Sequence, residues 1–347
     1  MIKPHSSNMN LSADTLLEIP VTQPELLFAG DEGQARSQWQ TLSRHWHPDR
    51  NPDPRAAWVF GHITELRQAA AAKRAIGIWQ DIDALLLTAV DGRRYRLRYG
   101  LTQPLDVGTA FIGKTVLCYL LEEDYADLTL DAPLQSPGLP FADDAMRLAL
   151  EPLLPQPVAR IRLRQGVALV LRKSPQYIPL RRLLDYVGGC LDPRHVAWIV
   201  SSILNLVCYL DSVNLAHQAI GIDHLLVAPA EHSVALTGGW WYSRPAGEPL
   251  KALPERSMRL APPDILARKT ADIRLDQHLL RATALELLGE DAAAAPAPML
   301  SFFQLPPMGC PVTDYEHWQQ VLWESFGERR FTPLAITADD IYGMTSH

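Results

Sequence analysis

The stretch RHWHPDRNPD, residues 44 to 53, sets His47, Pro48 and Asp49 side by side between polar flanks. Proline fixes its own φ and disfavours the helical region for the residue before it, so an incoming helix stops at His47. The imidazole and the carboxylate then project from a stiff turn, an arrangement suited to docking against another protein. Asp49 is equally a natural N-terminal cap for a following helix, which makes a turn and a cap with no partner. A second stretch, GTAFIGKT at 108 to 115, fits the phosphate-loop pattern G-x-x-x-x-G-K-T. In that pattern backbone amides cradle phosphates, Lys114 reaches the terminal phosphates and Thr115 binds magnesium. It requires a helix directly after the loop, whereas VLCYLLEEDYADL reads at least as well as a strand. Other chemistry is weak. His45 and His47 are two apart and offer no metal geometry, and HQAIGIDH (217–224) holds a His and an Asp without a serine nucleophile elbow. Cys118, Cys190, Cys208 and Cys310 form no C-x-x-C pair and read as reduced, mostly buried thiols.

The elements that must carry the first turn can be read from spacing. Trp39, Leu42 and Trp46 recur at three and four, with Arg36, Gln40 and Arg44 on a neighbouring polar face. After the triplet, Pro54 sits where a helix can begin, and Phe60, Ile63 and Leu66 recur at threes. These patterns predict an antiparallel helix pair with the triplet in its connection. The 347 residues exceed a usual single domain, so a small and a large domain are expected. A formal charge of −7 with 20% charged residues disfavours a general phosphate-binding surface, and nucleic acid is not an expected partner. The N-terminal sequence has no apolar centre of a secretory signal and no run of 18 apolar residues occurs, giving the expectation of a cytoplasmic protein without a membrane segment. An alanine-rich helical sequence gives way to alternating residues near Ala75 to Asp91, where the domain boundary is placed.

The first module resembles the J-domain of DnaJ-like co-chaperones, in which a His-Pro-Asp loop joins two antiparallel helices and engages a DnaK-type chaperone. HPDRNP matches the loop, Trp39, Leu42 and Trp46 take the aromatic and leucine positions, and FGHITEL resembles the following helix. For the family's first helix the candidate anchors are Leu16 and Leu17 or Leu26 and Leu27. The resemblance implies that His47, Pro48, Asp49, Arg36, Arg44 and Arg50 face the chaperone.

The remainder resembles the protein-kinase fold. RRYRLRYG to ALVLRK is strand-rich around a helical FADDAMRLALEPLLP, and the chain is helix-rich from Arg181. IPLRRLLDYVGG resembles the segment after the kinase hinge, and HVAWIVSSILNLVCYLDSVNLAHQAIGIDHLLV follows the helix leading into the catalytic loop. RLAPPDIL resembles the end of the activation segment, and ADIRLDQHLLRATALELLGE the buried helix that anchors it. In this reading GTAFIGKT is the glycine turn between the first two strands, with Phe111 and Gly113 at its tip. Kinase chemistry needs a proton-accepting Asp, an Asn and an Asp for magnesium, and a phosphate-gripping Lys. By the resemblance His217 holds its place, but Ala219 stands for the catalytic Asp and His224 for the Asn. Gly238, Gly239 and Trp240 stand where the magnesium-binding motif would lie, and EEDYADLTL (122–130) offers no clear Lys. Trp240 and Trp241 could fill the nucleotide cleft, each burying about 200 Å², or be ordinary core or surface aromatics. Pro262 and Asp272 are expected to retain structural roles, Asp272 by tying the buried helix to the catalytic loop.

The expected architecture is therefore α+β in two domains, a small helical J-domain-like hairpin followed by a two-lobed kinase-like fold with a β-rich small lobe and an α-rich large lobe. The expected segments are an N-terminal extension over 1–30, the J-like module over 31–75, a helical linker over 76–90, the small lobe over 91–176, the large lobe over 177–335 and a tail over 336–347. The expected function is a non-catalytic adaptor without cofactor or metal, with a DnaK-type chaperone and an unidentified client as partners. The alternatives are a regulatory pseudokinase with a relic hairpin and a nucleotide-binding enzyme using residues 108 to 115.

Overall fold

The computed structural model describes residues 11–81, 84–130 and 139–343. The first ten residues of the expected extension and the last four of the expected tail lie outside the described residues. The chain forms two compact units, Met1–Gly100 with Ile161–Ala168, and Leu101–Arg160 with Leu169–His347.

In the first unit, α1 (Ala13–Leu17) starts at Ser12, whose hydroxyl accepts from the Thr15 amide, and α2 (Glu32–His45) starts at Asp31, whose carboxylate accepts from the Gln34 amide. These caps satisfy amides that a helix N-terminus leaves without intrahelical partners. A 3₁₀ turn, Pro24–Leu26, lies between them, and α3 spans Ala56–Ile76. One core joins Leu16, Ile19, Leu27 and Phe28 to Leu42 and Trp46 of the α2 end and to Val59, Ile63, Leu66 and Ala70 of α3. Of the expected α3 stripe Ile63 and Leu66 are fully buried, while Phe60 is half-buried beside His47 and Val59 takes its place in the core. Within segment 76–90, expected to be a helical linker, Ile78–Gln80 and Ala84–Thr88 are instead strands. Gly77 caps α3 at φ 80, and β1 (Ile78–Gln80) pairs antiparallel with β2 (Ala84–Thr88), where Leu85 and Leu87 are buried. The left-handed residue ends the helix outright, and the β-compatible run Ile78–Trp79 follows it. β3 (Arg94–Arg98) completes the sheet in the order β1-β2-β3, so residues 91–100 group with this unit and not with the expected small lobe.

The second unit opens with β4 (Leu101–Leu105), β5 (Gly108–Ile112) and β6 (Val116–Leu121). After α4 (Asp144–Leu150) come β7 (Gln156–Arg162) and β8 (Val167–Arg172), giving a sheet ordered β4-β5-β6-β8-β7, the β7–β8 tip being grouped with the first unit. Helices follow: α5 (Leu180–Tyr186), after the two-residue β9 (Ile178–Pro179), and α6 (Pro193–Ser212). Short strands β10 (Leu215–Ala216), β11 (Leu225–Ala228), β12 (Ser233–Leu236) and β13 (Arg244–Pro245) form two small sheets, β12-β11-β9 and β10-β13. The rest is α7 (Glu255–Leu260), α8 (Pro263–Arg268), α9 (Ile273–Leu288), α10 (Ala297–Gln304), α11 (Pro311–Phe326) and α12 (Ala338–Gly343).

α6 is long and apolar enough to cross a membrane by length and composition, and here it packs against α9 and α11, with Val196, Ile199, Ile203 and Val207 buried. Arg281 of α9 is held by Asp314 of α11 at 2.8 Å, and Gln277 donates to the same carboxylate at 2.9 Å. Both charges are nearly inaccessible, so partners on both sides are needed to offset their desolvation. α12 docks through Ile341 and Tyr342, the Tyr342 hydroxyl donating to the Tyr177 carbonyl at 3.1 Å. Of the four cysteines Cys118 alone is buried; Cys190 and Cys208 are half-buried and Cys310 is exposed, which corrects the expectation of mostly buried thiols.

Candidate functional site

The His-Pro-Asp turn is built by hydrogen bonds that leave the Asp49 carboxylate out. The His47 carbonyl accepts from the amides of Arg50 and Asn51, each at 2.9 Å. The Asn51 side chain donates to the His45 carbonyl at 3.0 Å and accepts from the Asp53 amide at 3.0 Å. Asp53 in turn accepts from the Arg55 amide at 2.8 Å just before α3. The Arg55 guanidinium bridges Asp53 at 3.2 Å and Asp14 at 2.6 Å and lowers the Asp53 pKa. α3 itself has no side-chain cap; Asn51 and Asp53 bond the loop that leads into it, and the alternative in which Asp49 caps the next helix is not what the structure shows. The Asp49 side chain is 87% exposed. Its amide donates to His47 Nδ1 at 3.2 Å, which leaves the imidazole proton on Nε2, and the ring meets Phe60 edge-on at 5.6 Å. The turn thus orients His47 by an internal bond and a ring contact while the Asp49 carboxylate faces solvent. Arg36, Arg44 and Arg50 are also exposed, and so is Pro48.

In the second unit the loop after β10 is anchored from below by Asp276. Its carboxylate, fully buried in α9, accepts from the amides of His217 at 2.7 Å and Gln218 at 2.5 Å. Burial pushes this carboxyl up to about 7, against the two amides that lower it. Asp272, expected in this role, does not touch the loop: it is the N-terminal cap of α9, accepting from the Arg274 amide at 2.9 Å and pairing with Arg268 at 2.7 Å and Arg274 at 2.9 Å. One turn separates the two acids, and the inner one faces the core. Pro262 lies where α8 begins, its carbonyl accepting from the Ile265 amide at 3.0 Å.

Above that anchor the cleft is filled with side chains. His217 accepts from the Ala219 amide through Nδ1 at 3.3 Å and so donates from Nε2 to the Gly238 carbonyl at 3.0 Å. Burial holds this imidazole neutral, its pKa down at about 3. Trp240 packs edge-on against His217 at 4.9 Å and donates to the Leu236 carbonyl at 2.8 Å. Trp241 meets Tyr119 of β6 at 5.2 Å and His224 at 5.8 Å, and both tryptophans are buried. Tyr119 closes the other side by a 3.0 Å bond between its hydroxyl and that of Thr237. The glycines are needed for this closeness. A Cβ on Gly238 would lie 2.5 Å from His224 Nδ1 and 2.8 Å from the Tyr119 hydroxyl, and one on Gly239, at φ 78, would lie 2.8 Å from the Ala219 Cβ. The turn between β4 and β5 is tied down as well, Asp106 accepting from the Tyr242 hydroxyl at 2.7 Å.

At the mouth, a cavity of about 240 Å³ touches Asp106, Ala219, His224 and Arg256. That lies below the volumes usual for small-molecule sites, about 300–1,000 Å³. Asp223, the carboxylate nearest in sequence to His224, is engaged by Arg181 in two bonds of 2.9 Å and by Gln103 at 3.2 Å. It does not form a catalytic pair with a histidine. No group of three metal-ligating side chains occurs among the described residues.

The phosphate-loop expectation is overturned by the backbone. Residues 108 to 112 are strand β5, their pairing groups used in ladders with β4 and β6, and the segment after Thr115 is strand β6, with no helix to receive an anion. Lys114 is exposed beside Asp339 at 3.3 Å. Phe111 lies buried inside β5, not at a tip, and Gly113 belongs to the turn between β5 and β6. Residues 116–121 form strand β6 and Glu123–Thr129 are 3₁₀-helical; the side chain β6 turns toward Thr237 is Tyr119. Sequence reading missed Tyr119, Asp276 and the Asp106–Tyr242 bond. Only Asp276 left a sequence trace, one turn beyond an aspartate already singled out.

No protein-family profile and no curated protein matches the chain. Among solved structures it is similar to "Structure of vaccinia related kinase 3", with 14% identity, 78% of this chain and 98% of that chain covered, and a TM-score of 0.48. The second unit itself is mixed α and β, a five-stranded sheet followed by a mostly helical part.

Proposed function

We propose that this chain is a non-catalytic adaptor: the His-Pro-Asp turn engages a DnaK-type chaperone, and a catalytically silent kinase-like unit holds a partner or client. The observation that carries the chaperone half is the division of labour in the turn. Asn51 and Asp53 make the side-chain bonds that hold the turn's backbone, while the Asp49 carboxylate is 87% exposed beside Pro48, 3.7 Å from the His47 ring that its own amide orients. A carboxylate presented in that way is available to a basic surface.

Support for silence in the second unit is chemical. Ala219 cannot accept a proton, Gly238 and Gly239 carry no metal ligand, and Tyr119 offers a hydroxyl bound to Thr237 where a phosphate would need a cation. Trp240 and Trp241 occupy the space beside these residues. The strand order with α4 between the third and fourth strands, and the anchoring of residues 217 and 218 by a buried aspartate in α9, support the kinase-like reading. A second reading, a regulatory pseudokinase whose hairpin no longer docks, is favoured by the shortness of α1, five residues ahead of the helix pair. Biolayer interferometry with an immobilised DnaK-type chaperone and ATP separates the two. Binding that Asp49→Asn abolishes supports the adaptor; binding equal in wild type and Asp49→Asn, or none, supports the second reading.

A further inference from the structure

Between α11 and α12 the chain runs through residues 327–337 outside any helix or strand. Exposure alternates along this segment: Phe331, Pro333, Ala335 and Thr337 are exposed, while Thr332, Leu334 and Ile336 are half-buried. That is the pattern of extended backbone with one face turned inward. Main-chain bonding here is local, the Ile336 amide donating to the Leu334 carbonyl two residues back at 2.8 Å. At the far end α12 is pinned through Ile341 and Tyr342. At the near end rings do the holding. His232, at φ 48 in the turn between β11 and β12, stacks on Trp198 of α6 at 4.7 Å and 5° and on Phe331 at 4.2 Å and 20°. Two rings that close cannot share one face of an imidazole, so His232 lies between them. Phe331 is 64% exposed, its outer face meeting solvent. His195 of α6 stands edge-on to His232 at 6.4 Å and accepts at Nδ1 from the Trp198 indole at 3.4 Å. His232 Nε2 is buried without a hydrogen-bond partner among the described residues.

We infer that residues 327–337 form a strap that the stack of Trp198, His232 and Phe331 latches at neutral pH and that acidification releases. A neutral imidazole needs one of its nitrogens to donate, whereas the charged ring donates from both. In the closed strap the added proton on Nε2 would be a buried donor with no acceptor, which is costly. The charges around the ring agree in sign. Burial, the largest effect, lowers the His232 pKa from 6.5; Arg329 of the strap works with it, and a backbone hydrogen bond with Thr332 works against it. On α6, burial and His232 lower His195 while Asp192 opposes them, and Arg194 is engaged over the Phe326 ring. Glu231, exposed beside His232 in the turn, acts on Tyr177. A histidine lowered in the closed state favours closure fully above pH 6.5 and loses that contribution as the pH falls through its closed-state value. The ratio of closed to open strap therefore drops by up to about tenfold per pH unit below 6.5. Release would bare the Trp198 and His232 rings, so the strap gates a ring surface of the second unit. The device uses residues of that unit alone and is independent of the chaperone reading.

The test places 4-fluorophenylalanine at position 331 of the full chain and follows its fluorine resonance from pH 8 to pH 5. Stacking on His232 should hold the resonance away from the position of the free amino acid at pH 8. Below pH 6.5 it is expected to move to that position while the circular dichroism spectrum stays constant. In His232→Phe, whose ring stacks but takes no proton, it should stay displaced over the whole range. Position 232 has a left-handed backbone that suits asparagine. If His232→Phe does not keep the wild-type spectrum, His232→Asn takes its place, and the resonance should then lie at the free position at every pH. A wild-type resonance that stays fixed down to pH 5, or one that moves only together with the circular dichroism, overturns the inference. So does an equal pH-dependent movement in either variant.

Discussion

Replacing Asp276 by alanine removes the acceptor of two buried amides, those of His217 and Gln218, and nothing else in the loop stands ready to accept from them. Each orphaned buried donor costs about 1–3 kcal/mol, so the loss should be about 2–6 kcal/mol. Asn keeps one acceptor oxygen but turns an NH₂ group toward the second amide, so Asp276→Asn should lie between wild type and alanine. Asp272 provides the contrast. Its alanine variant loses a helix cap, about 0.5–2 kcal/mol, and two ion pairs whose arginine partners are partly solvated. Urea denaturation followed by tryptophan fluorescence reads the difference, Trp240 and Trp241 lying against the loop. A midpoint for Asp272→Ala at or below that of Asp276→Ala would refute the assignment of the anchor to Asp276.

The same pair of buried groups makes a pH prediction. His217, depressed from 6.5 to about 3, contributes stability that is present above about pH 6.5 and is lost as the pH falls toward 3. Asp276, raised from 3.8 to about 7, contributes in the opposite sense, with stability present below about pH 4 and lost as the pH rises to 7. Between roughly pH 4 and 6.5 the two proton uptakes offset. Asp276→Asn should therefore lose stability on acidification more steeply than wild type, by about 1.4 kcal/mol per pH unit; parallel urea midpoints at pH 4.5, 5.5 and 6.5 would contradict this. Gly238→Ala forces a methyl against His224 and Tyr119 and should cost about 1–3 kcal/mol, seen as a lower melting temperature; an unchanged one would mean that the cleft is looser than its contacts indicate. In the turn, Asp49→Asn should leave the melting temperature unchanged while Asp53→Ala lowers it, since Asp53 holds the Arg55 amide and guanidinium.

What could be read from the sequence was local. The apolar spacing of Leu42 and Trp46, and of Ile63 and Leu66, marks faces that are buried in the structure. Pro48 likewise marks where α2 has ended, at His45. The alternative that Asp49 is a helix cap rests on its place after the proline, whereas the side chains that bond the loop before α3 are Asn51 and Asp53. Asp272 is singled out by the resemblance of its helix to the kinase one, whereas the carboxylate that reaches the loop is that of Asp276, one turn on, whose inward orientation depends on packing. GTAFIGKT shows the limit of a pattern without context, because backbone pairing turns its first five residues into a strand. Tyr119 has no sequence signal, since its meaning lies in Thr237, 118 positions away.

The measurement that bears most directly on the adaptor is steady-state ATP hydrolysis by a DnaK-type chaperone with this chain added, comparing wild type, His47→Gln and Asp49→Asn. The account predicts stimulation by wild type and none by either variant, with all three proteins equally folded. Equal rates in all three, whether stimulated or not, would contradict it.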